Sequence, residues 1–254
     1  MIAPVLRGEW RLALRRRRLF ALNAGIPLLL VLPLALGAAP PTHAAVVYTV
    51  LFVLFGTMGS AIPLLREGEA GLLRRMVLTG YPPARILLER IVAGTAVDML
   101  QLAPAILLIV LFAPGAGGRE LLLLSLGLGV ALAAANLVGV WVAAVARSLA
   151  EGALFAAVVS LLLLHGAGVF RTPVPGSWAA RIEPLLPFLP LHHKLLEITT
   201  GRSAATGAGG AGGGFWSGTV IEWGSGVSTA LVLLFLTAGA ATSIAEWISA
   251  EGRG

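Results

Sequence analysis

Long apolar segments alternate with short polar ones along most of the chain. Six of them, 18 to 26 residues long with at most one formal charge each, cover residues 20–37, 44–65, 91–113, 121–146, 152–170 and 226–245. About 20 apolar residues in an α-helix cross the ~30 Å hydrocarbon core of a bilayer. The pattern therefore predicts an all-α integral membrane protein with six transmembrane helices, forming a single domain over residues 1–254.

The first 19 residues carry a different, amphipathic rhythm. Apolar side chains such as Ile2, Leu6 and Trp10 recur at helical spacing, and arginines lie on the opposite side. This pattern is typical of an interfacial helix, with Trp at the headgroups and arginines against anionic lipid. An alternative is a signal peptide with Ala21–Gly37 as its apolar core. A leading region of about twenty residues with six arginines is long for a signal peptide.

Composition agrees with a lipid environment. Hydrophobic residues make up 57% of the chain and charged residues 12%, about half the usual charged share, which excludes an ordinary soluble enzyme. In an alternating six-span topology, thirteen of the eighteen Lys and Arg residues lie on the side that holds both termini. The positive-inside rule then places both termini and residues 66–90 in the cytoplasm. The connection over residues 171–225 would be external, with room for short helices that dip back into the membrane.

The sequence carries no recognisable catalytic set. Lys194, the single lysine, follows His193 and precedes Leu195, so the Gly-Lys-Ser/Thr of a Walker loop cannot form around it. We therefore expect no enzyme activity, no metal and no nucleotide site in this chain. His193 and Glu197 are four residues apart, which is a weak metal signal. A membrane-embedded enzyme using His165 or the external histidines is a further hypothesis.

Few polar side chains fall inside the predicted spans. They are Asp98, Gln101, Asn136 and His165. A carboxylate near the bilayer centre is costly, so Asp98 should face protein or water. Gln101 lies one turn on, which leaves two interpretations open: a hydrogen-bonded packing pair, or a substrate or proton path.

Small residues recur every fourth position in the fourth span, at Gly127, Ala131, Ala135 and Gly139. Such a stripe lets another helix approach closely. The sequence does not say whether that helix belongs to the same subunit.

Residues 66–90 are dense in charge and hold the most specific pattern. Leu72, Leu73, Met76 and Val77 share one helical side. We expect Glu67 and Glu69 in the first turn of this helix and Arg74 and Arg75 near its last turn, in keeping with the helix dipole. The run from Thr79 to Pro83 should end it, and a second helix beginning near Pro83 leads into the third span. The first helix could dock on a cytoplasmic protein or lie on the membrane surface.

The stretch from Arg66 to Arg75, continuing through Pro82 and Pro83 to Leu88, resembles the permease subunits of ABC-2 type ATP-binding-cassette transporters. The resemblance extends over nearly the whole chain. It implies that residues 66–90 are a coupling segment that docks on an ATPase, and that spans 2 and 5 line a pathway between two permease copies. The implied ATPase-coupling residues are Glu67, Glu69, Gly71, Leu72, Arg74, Arg75, Pro82 and Arg85.

The implied partners are cytoplasmic ABC ATPase subunits, a second permease copy or a similar permease, and membrane lipid, with no nucleic acid. ATP and Mg would be bound by the partner ATPase, with no cofactor in this chain, and the location would be the cytoplasmic membrane. Export is the direction that the resemblance implies, and the substrate is not revealed.

Two other functions remain open. The same stretch resembles the related haem-exporter B subunits of cytochrome c maturation, although Arg74 stands where an acidic residue is frequent there and residues 171–225 are long for that group. The other is a non-transporting membrane scaffold that recruits a cytoplasmic partner.

Overall fold

The computed structural model describes residues 15, 17–37, 39–113, 117–171, 176–178 and 186–201. In these ranges the chain forms seven α-helices. They are α1 (Arg17–Leu36), α2 (Pro41–Glu69), α3 (Leu72–Leu78), α4 (Pro83–Phe112), α5 (Gly118–Val145), α6 (Leu149–Gly166) and α7 (Phe188–Thr200). The predicted span at 226–245 and nearly all of the predicted interfacial helix at 1–19 lie outside the described residues.

Four of the described helices are long and apolar enough to cross a membrane: α2, α4 from Arg85, α5 and α6. The apolar part of α1, Phe20–Leu36, falls below that length. The 29 residues of α2 extend over about 43 Å, close to the full thickness of a bilayer with its headgroups. In the described residues these helices agree with the predicted all-α membrane fold, and the count of six spans stays a prediction.

Local sequence signals explain where the helices begin and end. Pro41 and Pro83 stand at the first positions of α2 and α4, where the missing N–H leaves no hydrogen bond unmade. Ser148 caps α6 by accepting a hydrogen bond from the backbone N–H of Glu151. Gly71, at φ 67°, takes the left-handed conformation that separates α2 from α3.

One predicted feature of residues 66–90 is wrong. Glu67 and Glu69 lie in the last turn of α2, and α3 has no acidic residue in its first turn. The helix of the second span continues through Gly68 to Glu69 and ends before Gly71, the residue that takes the left-handed conformation. The predicted end of α3 at Thr79 and the continuous helix from Pro83 into the third span are confirmed.

Helix α2 is the centre of the bundle and contacts every other described helix. Two apolar clusters lie at its opposite ends. The larger one joins Tyr48 and Phe52 to residues of α4, α5, α6 and α7. The smaller one joins Leu64 and Leu65 to Leu73 of α3 and to residues of α4 and α5. Helices α3 and α7 therefore lie at opposite ends of the bundle, hereafter the α3 end and the α7 end.

The small-residue stripe of α5 is used within the subunit. All four of its residues are buried. A Cβ at Gly56 of α2 would lie 2.9 Å from the Cβ of Ala135, and one at Gly139 would collide with the backbone carbonyl oxygen of Thr57. The close approach that the stripe permits is therefore that of α2 and α5.

The predicted external connection contains helix α7. Phe188, Leu191 and Leu195 of this helix are buried in the larger apolar cluster. The hydroxyl oxygen of Thr199 lies 3.3 Å from the carbonyl oxygen of Pro41, at the start of α2. A short helix in this connection is thus confirmed, and its depth in a membrane stays a prediction.

Candidate functional site

Helix α3 presents two different sides. Leu73 is 4% exposed and packs with Met76 and Val77 in the smaller apolar cluster, which fixes α3 to α2 and α4. Leu72 and Leu78 are 45% and 76% exposed. The sequence pattern predicts that Leu72 shares one side with Leu73, Met76 and Val77. In the structure Leu72 is exposed and does not share their side.

Charged side chains accompany the exposed leucines. Arg74 and Arg75 of α3 are exposed, and so are Arg66 and Glu69 in the last turn of α2. The outer side of α3 is therefore apolar at two leucines and basic between them. We call Leu72, Arg74, Arg75 and Leu78 the α3 surface.

A hydrogen-bonded group fixes the turn between α3 and α4. The hydroxyl group of Tyr81 and the Nε–H of Arg85 both donate to Glu89 Oε1, at 2.6 and 2.8 Å. The guanidinium of Arg85 also lies 5.2 Å from the centroid of the Tyr81 ring. Because Glu89 accepts the phenolic hydrogen, it raises the pKa of Tyr81 above its ordinary value.

An ion pair joins the end of α2 to α4. The guanidinium of Arg90, which is buried, meets the carboxylate of Glu67. Glu67 was predicted to couple to an ATPase, and here its carboxylate faces α4. It therefore holds the two helices that flank α3.

The other predicted coupling residues are distributed along the segment. Gly71 forms the left-handed turn before α3, and Pro82 is exposed in extended conformation at φ −64° and ψ 129°. Arg85 is bound to Glu89. Sequence reasoning missed the roles of Tyr81, Glu89 and Arg90. The four-residue spacing of Arg85 and Glu89 was the available signal for one of these contacts.

A second group of polar side chains lies in the middle of the bundle. Asn136 of α5 donates from Nδ2 to Asp98 Oδ2 of α4 and to the carbonyl oxygen of Leu132, both at 2.9 Å. Its Oδ1 accepts a hydrogen bond from the Ser60 hydroxyl group of α2. One turn away, Ser160 of α6 donates to Thr57 of α2 at 3.0 Å. We call Thr57, Ser60, Asp98, Asn136 and Ser160 the polar layer.

The structure gives Asp98 a partner other than Gln101, its neighbour in one of the two interpretations that the sequence leaves open. Its carboxylate meets Asn136 on another helix, while Gln101, one turn further along α4, is buried without entering this layer. His165 lies apart from the layer, exposed in the last turn of α6.

At the α7 end, a third set of polar residues joins α7 to α2. His192 is buried, with its Nδ1 3.2 Å from the hydroxyl oxygen of Thr49. Burial, together with the nearby His193, lowers the pKa of His192 to about 4. Burial also lowers the pKa of His193. The Thr49 contact is therefore made by a neutral imidazole at pH 7.

The weak metal signal of the sequence finds no cluster to support it. Lys194 donates to Glu197 Oε2 at 3.0 Å, so this carboxylate is engaged in an ion pair. Within the part of the chain that the structure describes, no three His, Asp or Glu side chains are grouped to hold a metal ion.

Comparison with known proteins gives one family. The family model described as ABC-2 type transporter matches residues 4–190, well over half of the chain. The chain belongs to the ABC-2 type transporter family. Neither the curated proteins nor the solved structures gave a match.

Membership makes this chain the membrane-spanning permease of an ABC transporter, a class that works with ATPase subunits. Its apolar helices agree with a multi-pass membrane protein. The match includes α1 to α6, and therefore both the α3 surface and the polar layer of this ABC-2 permease.

Proposed function

We propose that the chain is the permease subunit of an ABC exporter, which moves a substrate out across the cytoplasmic membrane with energy from a separate ATPase. The ATPase binds ATP and Mg, and the permease itself has no enzyme activity. The observation that carries this proposal is the exposed α3 surface. It lies on a helix whose other side is buried and which is held between two spans at one end of the bundle.

The α3 surface is better suited to docking on a protein than to lying on the membrane surface. Leu73 anchors α3 to the bundle, and the flanking contacts at Glu67 and Tyr81 fix its position relative to α2 and α4. A helix that only covered lipid headgroups would need no such fixation on both flanks. A partner that pulls on α3 would move α2 and α4, since both continue through the bundle.

The orientation proposed is that α3 faces the cytoplasm. It rests on the excess of Lys and Arg on that side of the predicted topology, and on the separation of α3 and α7 at opposite ends of α2. An ATPase in the cytoplasm would then meet α3, and α7 would lie on the outer side of the membrane.

Two permease copies, identical or similar, would enclose the pathway, with spans 2 and 5 facing it. These spans correspond to α2 and α6. Their contact through Thr57 and Ser160 supports a joint movement of the two helices when α3 is displaced. The apolar exposed side of α6, which includes Leu154, Val158 and Leu162, can meet lipid or the second copy.

Co-purification tests the proposal. The tagged permease, extracted from its native membrane, should retain an ABC ATPase whose activity requires ATP and Mg, whereas the permease separated from it should hydrolyse no ATP. Arg74→Glu should reduce the retained ATPase about tenfold, because reversing one charge in a docking surface typically costs ~1–2 kcal/mol. Arg119→Glu, at an exposed site on the α7 end, is the matched control and should retain the full amount.

The outcomes separate the competing functions. An ATPase that is retained equally by both variants would show that α3 is not its docking site. A retained soluble partner without any nucleotide-hydrolysing activity would support a membrane scaffold instead and overturn the exporter proposal.

A further inference from the structure

The polar layer joins four helices at the middle of the bundle. Asp98 of α4, Asn136 of α5 and Ser60 of α2 form one hydrogen-bonded chain, and Thr57 of α2 with Ser160 of α6 forms a second pair one turn away. All five residues are buried, with Asp98 4% exposed. Polar contacts of this kind between membrane helices hold the helices in one relative position.

The orientation of the Asn136 amide is fixed by its neighbours. Its Nδ2 has two acceptors at 2.9 Å, Asp98 Oδ2 and the carbonyl oxygen of Leu132, so both amide hydrogens are used. Its Oδ1 accepts from Ser60. A flipped amide would point its oxygen at two acceptors. The Asn136 amide therefore has only one favourable orientation.

Two glycines leave the space that this chain occupies. A Cβ at Gly59 of α2 would lie 2.9 Å from Asp98 Oδ1, and one at Gly94 of α4 would lie 2.7 Å from Asn136 Oδ1. Both distances are shorter than side chains normally allow. Helices α2, α4 and α5 thus approach closely at the level where the polar groups meet.

Helix α4 is tied to its neighbours at two levels. Near the α3 end, Arg90 pairs with Glu67 of α2. Asp98 follows eight residues later, about 12 Å along the helix, and Ser60 precedes Glu67 by seven residues, about 10 Å. The two levels match because α2 and α4 run antiparallel. Two contacts along its length keep α4 from pivoting about either one, so α4 moves as a rigid body.

We propose that Asp98 and Asn136 are positioning residues that transmit the displacement of α3 to α5 and so to the α7 end of the bundle. This inference rests on the proposed function, because it assumes that an ATPase displaces α3. The contact acts as a hydrogen bond with fixed geometry. The charge of Asp98 is not required, since an amide oxygen at the same place accepts the same hydrogen from Asn136.

The test uses the complex of the permease with its ATPase and follows movement at the far end of α5. The chain contains no cysteine, so Arg119→Cys, at the exposed start of α5, gives a single site for an environment-sensitive fluorophore. The probe added is ATP with Mg, and the readouts are the fluorescence change and the rate of ATP hydrolysis in the same sample. Their ratio measures transmission independently of how much complex is folded.

In this labelled background, Asp98→Asn should keep the wild-type ratio. Asp98→Leu and Asn136→Leu should lower it about threefold or more, the effect of one lost interhelical hydrogen bond in a membrane, while ATP hydrolysis continues. Ser60→Ala, a smaller change, should also lower the ratio. It provides the test if the leucine variants fail to fold. Thr49→Val, which removes a buried hydroxyl group of α2 outside the polar layer, is the matched control and should keep the ratio.

Two results would overturn the inference while leaving the proposed function intact. One is a wild-type ratio in Ser60→Ala and in the leucine variants. The other is an Asp98→Asn variant as deficient as Asp98→Leu, which would assign the role to the charge. Absence of both ATP hydrolysis and a fluorescence change in the labelled Arg119→Cys complex with no further substitution would instead contradict the proposed function itself, and this inference with it.

Discussion

Single glycines set the distance between the central helices. At Gly139 of α5, the hydrogen atom faces the backbone carbonyl of Thr57 in α2, and no side chain can rotate away to make room for a methyl group. At Gly129, ten residues earlier on the same helix, a Cβ would meet no atom within 4 Å. The same substitution at these two positions therefore separates steric overlap from the general effect of glycine in a helix.

We expect Gly139→Ala to lower the free energy of unfolding by ~1–3 kcal/mol, because the added methyl group must push α2 and α5 apart. Gly129→Ala should be neutral or raise it by up to ~1 kcal/mol, since alanine favours the helix. Thermal unfolding of both variants in the same detergent checks the difference. Equal midpoints would mean that the close contact of α2 and α5 is absent from the protein in solution.

The residue scale also shows where sequence reasoning ended. The cost of burying a carboxylate predicted that Asp98 would face protein or water, and the structure buries it against Asn136. The partner was missed because it lies 38 residues away on another helix, and helical spacing relates only neighbours on the same helix. The small-residue stripe was visible, but its partner helix depended on how the whole bundle packs.

At the scale of elements, proline and glycine marked the helix ends better than charge did. The break at Thr79 to Pro83 and the start of α4 were predicted from turn residues and are confirmed. The acidic pair Glu67 and Glu69 was assigned to the wrong helix, because a favourable dipole position exists only once the helix start is known. The start of α3 is defined by Gly71, which the sequence analysis names only as an implied coupling residue.

The two sides of α3 make opposite predictions for adjacent leucines. Leu73→Ala should lower the free energy of unfolding by ~2–5 kcal/mol, because Leu73 fills the apolar cluster between α2, α3 and α4. Leu72→Ala should change it by less than about 0.5 kcal/mol, since Leu72 is 45% exposed. Thermal unfolding measures the first effect, and the amount of retained ATPase measures the loss of binding expected for Leu72→Ala. Equal loss of stability in both would contradict the packing of α3.

At the scale of the whole molecule, hydrophobic runs predicted the class of fold and the helices that carry it. Runs in the second to fifth predicted spans correspond to α2, α4, α5 and α6. The helices extend beyond the apolar runs, as at Glu69 and Pro83, because a membrane helix continues through the headgroups until a turn residue ends it. The packing order around α2 was not predictable, since most faces of these helices are equally apolar.

The orientation of the bundle can be tested directly, because the chain has no cysteine of its own. Arg74→Cys lies on α3 and Thr200→Cys at the end of α7, both at exposed positions near opposite ends of the bundle. A membrane-impermeant maleimide should label Thr200→Cys in intact cells, and Arg74→Cys only after the membrane is permeabilised. Leu102→Cys, at a fully buried position of α4, is the control and should stay unlabelled in both conditions. Labelling of Arg74→Cys in intact cells would place α3 outside, where no ATP-hydrolysing partner could reach it, and the proposed coupling would be wrong.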